Sequence, residues 1–322
     1  MRPFFMVTSA AWLALAATLP AQTPEARAVA YLAGAVTSFR TANQCDSCHA
    51  SGDAARALLM AANRGHDVGD ALTKTRAFLE APATWAANKG HGADEGLARL
   101  QFAAALAAAG ERDLRPAEPL VETAKIILAD QKQDGSWSPT GSAGPGSPLT
   151  WGTSVATWMA RATLIAAGRE PDDFAVAQID RWTRTAEVTS VSDAAGVVLG
   201  LGLTSDVMAD KQRAAYLNLL RFAQRDSGGW GAEPNAESAT VFDTALVLLA
   251  LQQLETDPRL ARSTYRLEEL RDAIGKGREY LVSQQRPDGS WPETLRGGAS
   301  ASEAQRLSTT SWALIALLSR EK

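Results

Sequence analysis

The chain has 322 residues, of which 46% are hydrophobic and 21% charged, and its formal net charge is −4. This composition is typical of a soluble globular protein, long enough for one large domain or two ordinary ones. The acidic balance and the lack of a basic stripe argue against nucleic-acid binding. Stretches rich in Ala and Leu favour helix over strand.

The N-terminus has the pattern of a secretory signal peptide. Arg2 provides the positive charge, Phe4 to Leu19 is an apolar run, and Ala21 is the expected last residue of the signal. The run is short for a membrane-spanning helix. No cysteine lies near the cleavage point, which argues against a lipoprotein. We therefore predict a mature chain of residues 22–322, without a transmembrane span, in the periplasm or secreted.

A loop pattern occurs three times along the chain. In each copy a Gln precedes a Gly by four residues and a Trp by six, and the Gly lies at a turn signal. The copies are Gln131–Trp137, Gln224–Trp230 and Gln285–Trp291. Regular recurrence of this kind indicates a repeat protein.

The segments around these loops predict two kinds of helix. The helix before each loop is amphipathic, whereas the segment after it is apolar nearly all round, as in Val241–Leu251 and Thr309–Leu318. A helix that is apolar on every face must be buried on every face. The pattern therefore predicts an inner ring of helices wrapped by an outer ring.

This template divides the mature chain into six helical hairpins. We therefore predict an all-α fold, an (α/α)6 toroid that forms one domain. Three inner helices should end in left-handed glycines, Gly65, Gly110 and Gly168. The fourth inner helix is the least regular because it contains several glycines, including Gly196. The predicted hairpins are Glu25–Gly65, Gly69–Gly110, Ala117–Gly168, Asp172–Leu203, Val207–Leu254 and Leu267–Leu318.

From about residue 117 onward the loops resemble the QW repeats of squalene–hopene cyclases and other terpenoid cyclases. This resemblance implies a closed α/α toroid with its pocket at one rim. It also implies an Asp-x-Asp-Asp-Thr-Ala motif, whose middle Asp is the proton donor of the class II enzymes. Here the matching stretch is Thr240–Ala245, and Phe242 occupies the donor position. The broken motif predicts that terpene cyclisation is absent and that Asp243 is a helix-start carboxylate.

Two other toroid families define further alternatives. Protein prenyltransferases hold zinc with Asp, Cys and His, but both cysteines of this chain lie in the first hairpin, away from that family's ligand positions. Polysaccharide lyases need a base and a charge-neutralising group in an open groove. The sequence assigns no residue to either role.

The run Cys45-Asp-Ser-Cys48-His49 is a c-type haem attachment motif. The two thiols would form thioethers with the haem vinyl groups, and His49 would be the proximal iron ligand. The chain has no other cysteines, and such attachment takes place outside the bacterial cytoplasm, where the signal peptide directs the protein. We therefore predict one covalent haem c with its iron.

Three alternatives to haem remain open for this motif. Cys45 and Cys48 could form a redox-active dithiol, since Cys-x-x-Cys pairs cycle in oxidising compartments. They could bind zinc together with two of the three histidines. They could also form a structural disulfide.

The position of the motif predicts the second axial ligand. The motif lies between the outer and inner helices of the first hairpin, where other units carry their Gln–Trp loop. His91 lies in the equivalent loop of the adjacent hairpin, whereas Met60 is farther along an inner helix and His66 is at the opposite end. We predict bis-His iron with His49 and His91, which would favour electron transfer over ligand chemistry. The alternative is that His91 is an exposed loop residue and the iron is five-coordinate.

The remaining aromatic and acidic residues are predicted to be packing residues, helix-start acids or residues that line a pocket. The loop tryptophans Trp137, Trp230 and Trp291 are predicted to be packing residues of the repeat. Four others lie on inner helices or near their ends and are candidates for lining a pocket: Trp85, Trp151, Trp158 and Trp312. Four acids are predicted near the rim as helix-start or pocket acids: Asp94, Glu95, Asp193 and Glu237.

Two classes of function follow from these observations. The first is a periplasmic c-type haem protein on a terpenoid-cyclase-like toroid, acting in electron transfer or a haem-dependent redox step with an unidentified redox partner. The alternative is a toroid without haem, which binds an apolar or glycan ligand in its pocket or acts as a lyase or cyclase through acids that the sequence does not identify.

Overall fold

A computed structural model describes residues 22–43, 46–88, 94–111, 117–139, 145–297 and 299–319. The predicted signal peptide, Cys45 and His91 lie outside the described residues. Within the described ranges, no helix is both long enough and apolar enough to cross a membrane.

The described residues form twelve α-helices that pair into the six predicted hairpins. A π-helical segment, Cys48–Ala54, leads directly into α2, and short 3₁₀ segments lie at Pro82–Ala87 and Pro258–Ala261. The helices are α1 (Pro24–Asn43), α2 (Ala55–Asn63), α3 (Thr73–Leu79), α4 (Glu95–Ala109), α5 (Glu118–Leu128), α6 (Gly152–Ala166), α7 (Phe174–Thr185), α8 (Val191–Leu201), α9 (Val207–Ala223), α10 (Val241–Glu255), α11 (Leu267–Gln284) and α12 (Glu303–Leu318).

The even-numbered helices form a closed inner ring. Each contacts the next in the order α2, α4, α6, α8, α10 and α12, and α12 returns to α2 and the π-helical segment. The odd-numbered helices pack outside this ring, and α1 also packs against α12. Every residue from Val241 to Leu251 is buried, as the apolar pattern predicts for an inner helix. The predicted (α/α)6 toroid is therefore confirmed.

The fourth hairpin contains a regular inner helix despite its glycines. A Cβ atom on Gly196 of α8 would lie 2.9 Å from the backbone of Ser154 and Val155 in α6. Glycine at this position allows the two inner helices to approach closely, which offsets its low helix propensity. The irregular composition therefore reflects tight packing within the ring.

The predicted left-handed ends are confirmed at two inner helices and wrong at the third. Gly65 has φ +89° and Gly168 has φ +83°. Gly110, which ends α4, has φ −93°. Its N–H bonds to the Ala107 carbonyl at 3.2 Å, a 3₁₀-type closing turn that needs no positive φ.

The three repeated loops make the same contacts, which confirms their structural role. Each Trp side chain is buried and donates through Nε1 to a carbonyl of the preceding outer helix, at Ile127, Leu220 and Leu281. Each Gln side chain donates to its own loop glycine and to a carbonyl of another outer helix, at Ala175, Ala273 and Pro24. Each loop therefore joins an outer helix to the next one around the ring.

The third loop closes the ring between the two ends of the chain. Gln285 Nε2 donates to the Gly289 carbonyl at 3.0 Å and to the Pro24 carbonyl of α1 at 2.8 Å. Arg27 of α1 donates in turn to the Gln285 Oε1. Gly289 has φ +89°, and a Cβ atom there would lie 2.3 Å from the Arg27 carbonyl oxygen. Only glycine satisfies both the backbone angle and this contact.

Replacing Gln285 with Ala should destabilise the whole toroid, because two carbonyl groups lose their donor at the seam of the ring. We expect the free energy of unfolding in urea to fall by about 1–3 kcal/mol. The matched control is Gln284→Ala, at the exposed neighbouring position, with an expected change within about 0.5 kcal/mol. Equal effects of the two substitutions would show that Gln285 does not hold the ring closed.

Candidate functional site

The described part of the Cys-x-x-Cys-His motif starts the first inner helix. Ser47 caps the π-helical segment by accepting a hydrogen bond from the Ala50 N–H at 3.1 Å. Cys48 is a buried free thiol, and its Sγ lies 3.3 Å from the His49 Nδ1. Within the described chain no hydrogen bond engages the His49 Nε2, while the Phe39 ring packs edge-on against the imidazole with centroids 6.4 Å apart.

Burial keeps both groups of the motif in their neutral forms. It raises the pKa of the Cys48 thiol to about 12, and the nearby Asp53 carboxylate adds to this shift. Burial alone lowers the pKa of His49 to about 4. With this raised pKa Cys48 would not be the attacking thiolate of a redox-active dithiol, so that alternative would need Cys45 in this role.

Hydrogen bonds join the motif to the loop of the second hairpin. The Asn88 side chain donates to the Asp46 carbonyl at 2.5 Å and accepts from the Asp46 N–H at 3.3 Å. Asp94, on the other side of residues 89–93, is close enough to contribute to the raised pKa of Cys48. Both flanks of the undescribed segment that contains His91 therefore lie beside the motif.

The other potential iron ligands of the described chain lie elsewhere. Met60 lines a cavity near the opposite rim, and His66 lies in the turn after α2. Among the described residues, no group of three or more His, Cys, Asp and Glu side chains is placed to hold a metal ion. Cys45 and His91, which the zinc and bis-His hypotheses need, lie outside the described residues.

Asp53 and Arg56 form a second candidate site that the sequence interpretation missed. Both are buried, and they follow His49 along the same π-helical segment and the start of α2. Asp53 Oδ2 accepts hydrogen bonds from Ser308 at 2.8 Å and Gln101 at 3.3 Å, whereas Oδ1 has no partner within the described chain. Charged residues inside an otherwise apolar inner-helix run were the signal available in the sequence.

Burial shifts the pKa of Asp53 strongly. It raises the pKa of this carboxyl to about 7, opposed by the positive charge of Arg56 and by the Ser308 hydroxyl and the Trp151 indole. Asp53 therefore titrates near neutral pH inside the ring, in a range where a carboxyl group can hold or release a proton.

The Arg56 guanidinium is enclosed by aromatic rings. Its Cζ lies 4.3 Å from the centroid of the Trp312 ring and 5.7 Å from that of Trp151. Its Nη1 donates to the Met159 Sδ at 3.4 Å, and no described carboxylate lies within the 4.0 Å of an ion pair. Burial lowers the pKa of Arg56 to about 10, opposed by Asp53, so the group remains cationic at neutral pH.

A cavity of about 680 Å³ opens at the rim where the inner helices end. Gly110, Gly168 and Ser319, which follow α4, α6 and α12, lie at its outer edge. Arg56 lies in the first turn of α2 and marks the inner end of the cavity. The wall between them is mainly apolar: Met60, Ala104, Ala107, Ala108, Leu120, Trp158, Met159, Ala162, Ile165, Ala166, Leu249 and Ile315.

At the opposite rim, Asp243 has a structural partner that the sequence did not indicate. Arg296 Nη2 lies 2.6 and 2.7 Å from the two Asp243 carboxylate oxygens, and Arg296 Nε donates to the Gly146 carbonyl at 3.1 Å. Asp243 lies in the first turn of α10, as expected for a helix-start carboxylate, and the ion pair additionally ties this helix to the loop before α6. The Phe242 side chain is buried against Trp312, with ring centroids 5.5 Å apart.

The remaining predicted residues divide between the cavity and the protein core. Trp158 lines the cavity, Trp151 and Trp312 flank Arg56, and Trp85 packs instead with Phe78 and Phe102. The rim acids are mostly helix-start groups: Asp94 caps α4, Glu95 and Asp193 lie in first turns, and Glu237 is exposed in a loop.

Solved structures with this fold include two kinds of enzyme. The type II terpene cyclase MstE from Scytonema superposes with a TM-score of 0.54 at 14% identity, covering 92% of this chain and 98% of that one. A polysaccharide lyase superposes with a TM-score of 0.53 at 13% identity, covering 93% and 98%. No protein-family model and no curated protein sequence matches the chain. The similarity establishes the α/α toroid fold.

The Asp53→Asn variant should change the pH dependence of stability in a defined direction. Because the folded-state pKa is raised above the unfolded value of 3.8, the protonated carboxyl favours folding at low pH, and this advantage is lost as pH rises toward 7. The stability of the variant relative to wild type should therefore rise between about pH 4 and pH 7, by on the order of 3 kcal/mol. Urea unfolding across this range gives the difference directly, and a flat difference would contradict a raised pKa.

Proposed function

We propose that this protein is an exported c-type haem protein built on a terpenoid-cyclase-like toroid, with Cys45 and Cys48 as the haem attachment points and His49 as the proximal iron ligand. The single observation that carries this proposal is the pair of hydrogen bonds between Asp46 and Asn88. They fasten the attachment motif to Asn88, which precedes the predicted distal ligand His91 by three residues in the sequence.

The described residues of the motif fit the roles that a covalent haem requires. The Cys48 sulfur is a free thiol, and the His49 Nδ1 contact leaves Nε2 available as the ligand atom. The π-helical segment that contains both residues is held by α1, α4 and α12, which would fix the proximal ligand rigidly. A haem held in this way supplies one-electron redox chemistry, and His91 as second ligand would restrict it to electron transfer.

Expression of the chain in a bacterium with c-haem maturation machinery tests the attachment. The denatured mature protein should give a covalent c-type pyridine haemochrome spectrum with about one haem per chain, as expected for one Cys-x-x-Cys-His motif. The matched control is the Cys45→Ala, Cys48→Ala double variant, which should carry no covalent haem. Haem-free wild type, with zinc or a disulfide found by metal and thiol analysis, would overturn the proposal.

Replacement of His91 with Ala tests the distal ligand separately. Loss of the second imidazole should convert low-spin iron to a high-spin form, visible in the Soret and visible absorption bands. His66→Ala is the control, because His66 lies in the turn after α2 and should leave the spectrum unchanged. An unchanged low-spin spectrum in His91→Ala would show that another group is the sixth ligand.

We further propose that the cavity binds an apolar ligand. Its wall is mainly aliphatic and aromatic, and its volume of about 680 Å³ falls in the range of small-molecule sites. MstE, which has the same fold, has been determined in complex with its substrate geranylgeranyl dihydroxybenzoate. The apolar wall favours this class of ligand over the glycans of polysaccharide lyases.

Organic extraction of the purified protein followed by mass spectrometry tests this second proposal. The matched variant is Ala162→Trp, which places a large side chain at an exposed cavity position of α6. The wild type should release an apolar compound that the folded Ala162→Trp variant lacks or holds in smaller amount, because the indole would narrow the cavity. Equal extracts from both proteins would argue against occupation of the cavity.

A further inference from the structure

We infer that the cavity takes a monoanionic amphiphile, with one carboxylate bound to Arg56 and an apolar tail along the cavity wall. The inference rests on the proposed binding of an apolar ligand and is independent of the haem. It adds the charge and orientation of the ligand, which the apolar wall by itself does not specify.

The first argument is that Arg56 has no carboxylate at ion-pair distance among the described residues. A buried cation is costly unless a hydrogen-bonded anion accompanies it. Among the described residues this guanidinium contacts a methionine sulfur at 3.4 Å, which is a weak acceptor, and the faces of two indole rings. These contacts stabilise the positive charge but leave most of the five N–H donors of an arginine for a ligand.

The second argument is that Asp53 compensates the charge of Arg56 only in part. Its carboxylate lies outside ion-pair distance of Arg56, and its Oδ2 is already bound by Ser308 and Gln101. The two groups interact through charge, but with a pKa of about 7 the carboxyl is only partly ionised near neutral pH. The inner end of the cavity therefore keeps a partial positive charge.

The third argument concerns the number of negative charges in the ligand. Arg56 is the only cationic side chain of the described cavity wall, and the one acid there, Glu111, lies at the mouth paired with Arg64 at 3.3 Å. A single guanidinium matches one carboxylate through two parallel hydrogen bonds, whereas a diphosphate would leave charge unpaired among apolar side chains. The positive charge at the inner end and the apolar wall together fit a long-chain carboxylate. Its headgroup would lie at the inner end, and its tail would extend toward the mouth of the cavity.

Binding of three probes with the same alkyl chain tests the inference on the unmodified protein. A fluorescent fatty acid is first bound to the full mature chain. Its displacement is then measured with each probe in turn: dodecanoate, dodecanol and methyl dodecanoate. Dodecanoate should bind at least about tenfold more tightly than the two neutral probes, as expected for a charge-assisted bidentate contact in a buried site. Equal affinities would overturn the headgroup assignment while leaving the apolar site intact, and binding of none would overturn both.

Two substitutions locate the preference at Arg56. Arg56→Met removes the charge while keeping an unbranched, largely apolar side chain, and it should remove the preference for dodecanoate while dodecanol still binds. Arg161→Met is the control, because Arg161 lies on α6 outside the cavity wall and pairs with Asp180 at 2.6 Å, so the preference should persist. A preference retained in folded Arg56→Met would contradict the inference. If Arg56→Met fails to fold, the probe series on the wild type still decides it.

Discussion

Closure of the ring by the third Gln–Trp loop is the constraint on which the rest of the structure depends. An inner helix such as α10 is apolar on every face, so it is stable in water only if other helices surround it completely. Gln285 and Gly289 join the last hairpin to Pro24 and Arg27 of the first one, which leaves no open edge. The same contact joins α5 to α7 and α9 to α11, so the repeated loop forms three of the six junctions between neighbouring outer helices.

Within the closed ring, the first inner helix is chemically different from the other five. It starts as a π-helical segment that carries Cys48 and His49 at one rim, and it continues through Asp53 to Arg56 in the interior. The two candidate sites therefore share one continuous helical element but face different ends of the toroid. This arrangement allows a redox group at one rim and an apolar ligand near the other without competition for space.

The structure describes the packing of two residues in the stretch that resembles the cyclase motif, Thr240–Ala245: Phe242, which departs from that motif, and Asp243, which matches it. The position of the family's proton donor holds Phe242, which packs on Trp312, and Trp312 in turn covers the Arg56 guanidinium. The remaining acid of that stretch, Asp243, is engaged by Arg296 and fastens the loop before α6. Aromatic rings therefore surround Arg56 of the first inner helix, whereas the buried Asp243 of α10 is engaged in its ion pair with Arg296.

Periodicity was sufficient to predict the six hairpins, the two helix rings and the structural role of the loop tryptophans, because apolar spacing and turn residues act locally along the chain. It failed at Gly110, where local closure by a 3₁₀-type turn replaced the left-handed end. The haem attachment motif stays a prediction, which the sequence offers because thioether attachment needs a short contiguous spacing. The Asp53–Arg56 site was not, because its properties come from residues far apart in the chain. Ser308, Gln101 and Trp312 surround this pair only after the ring has closed, and burial then raises the pKa of Asp53 and lowers that of Arg56.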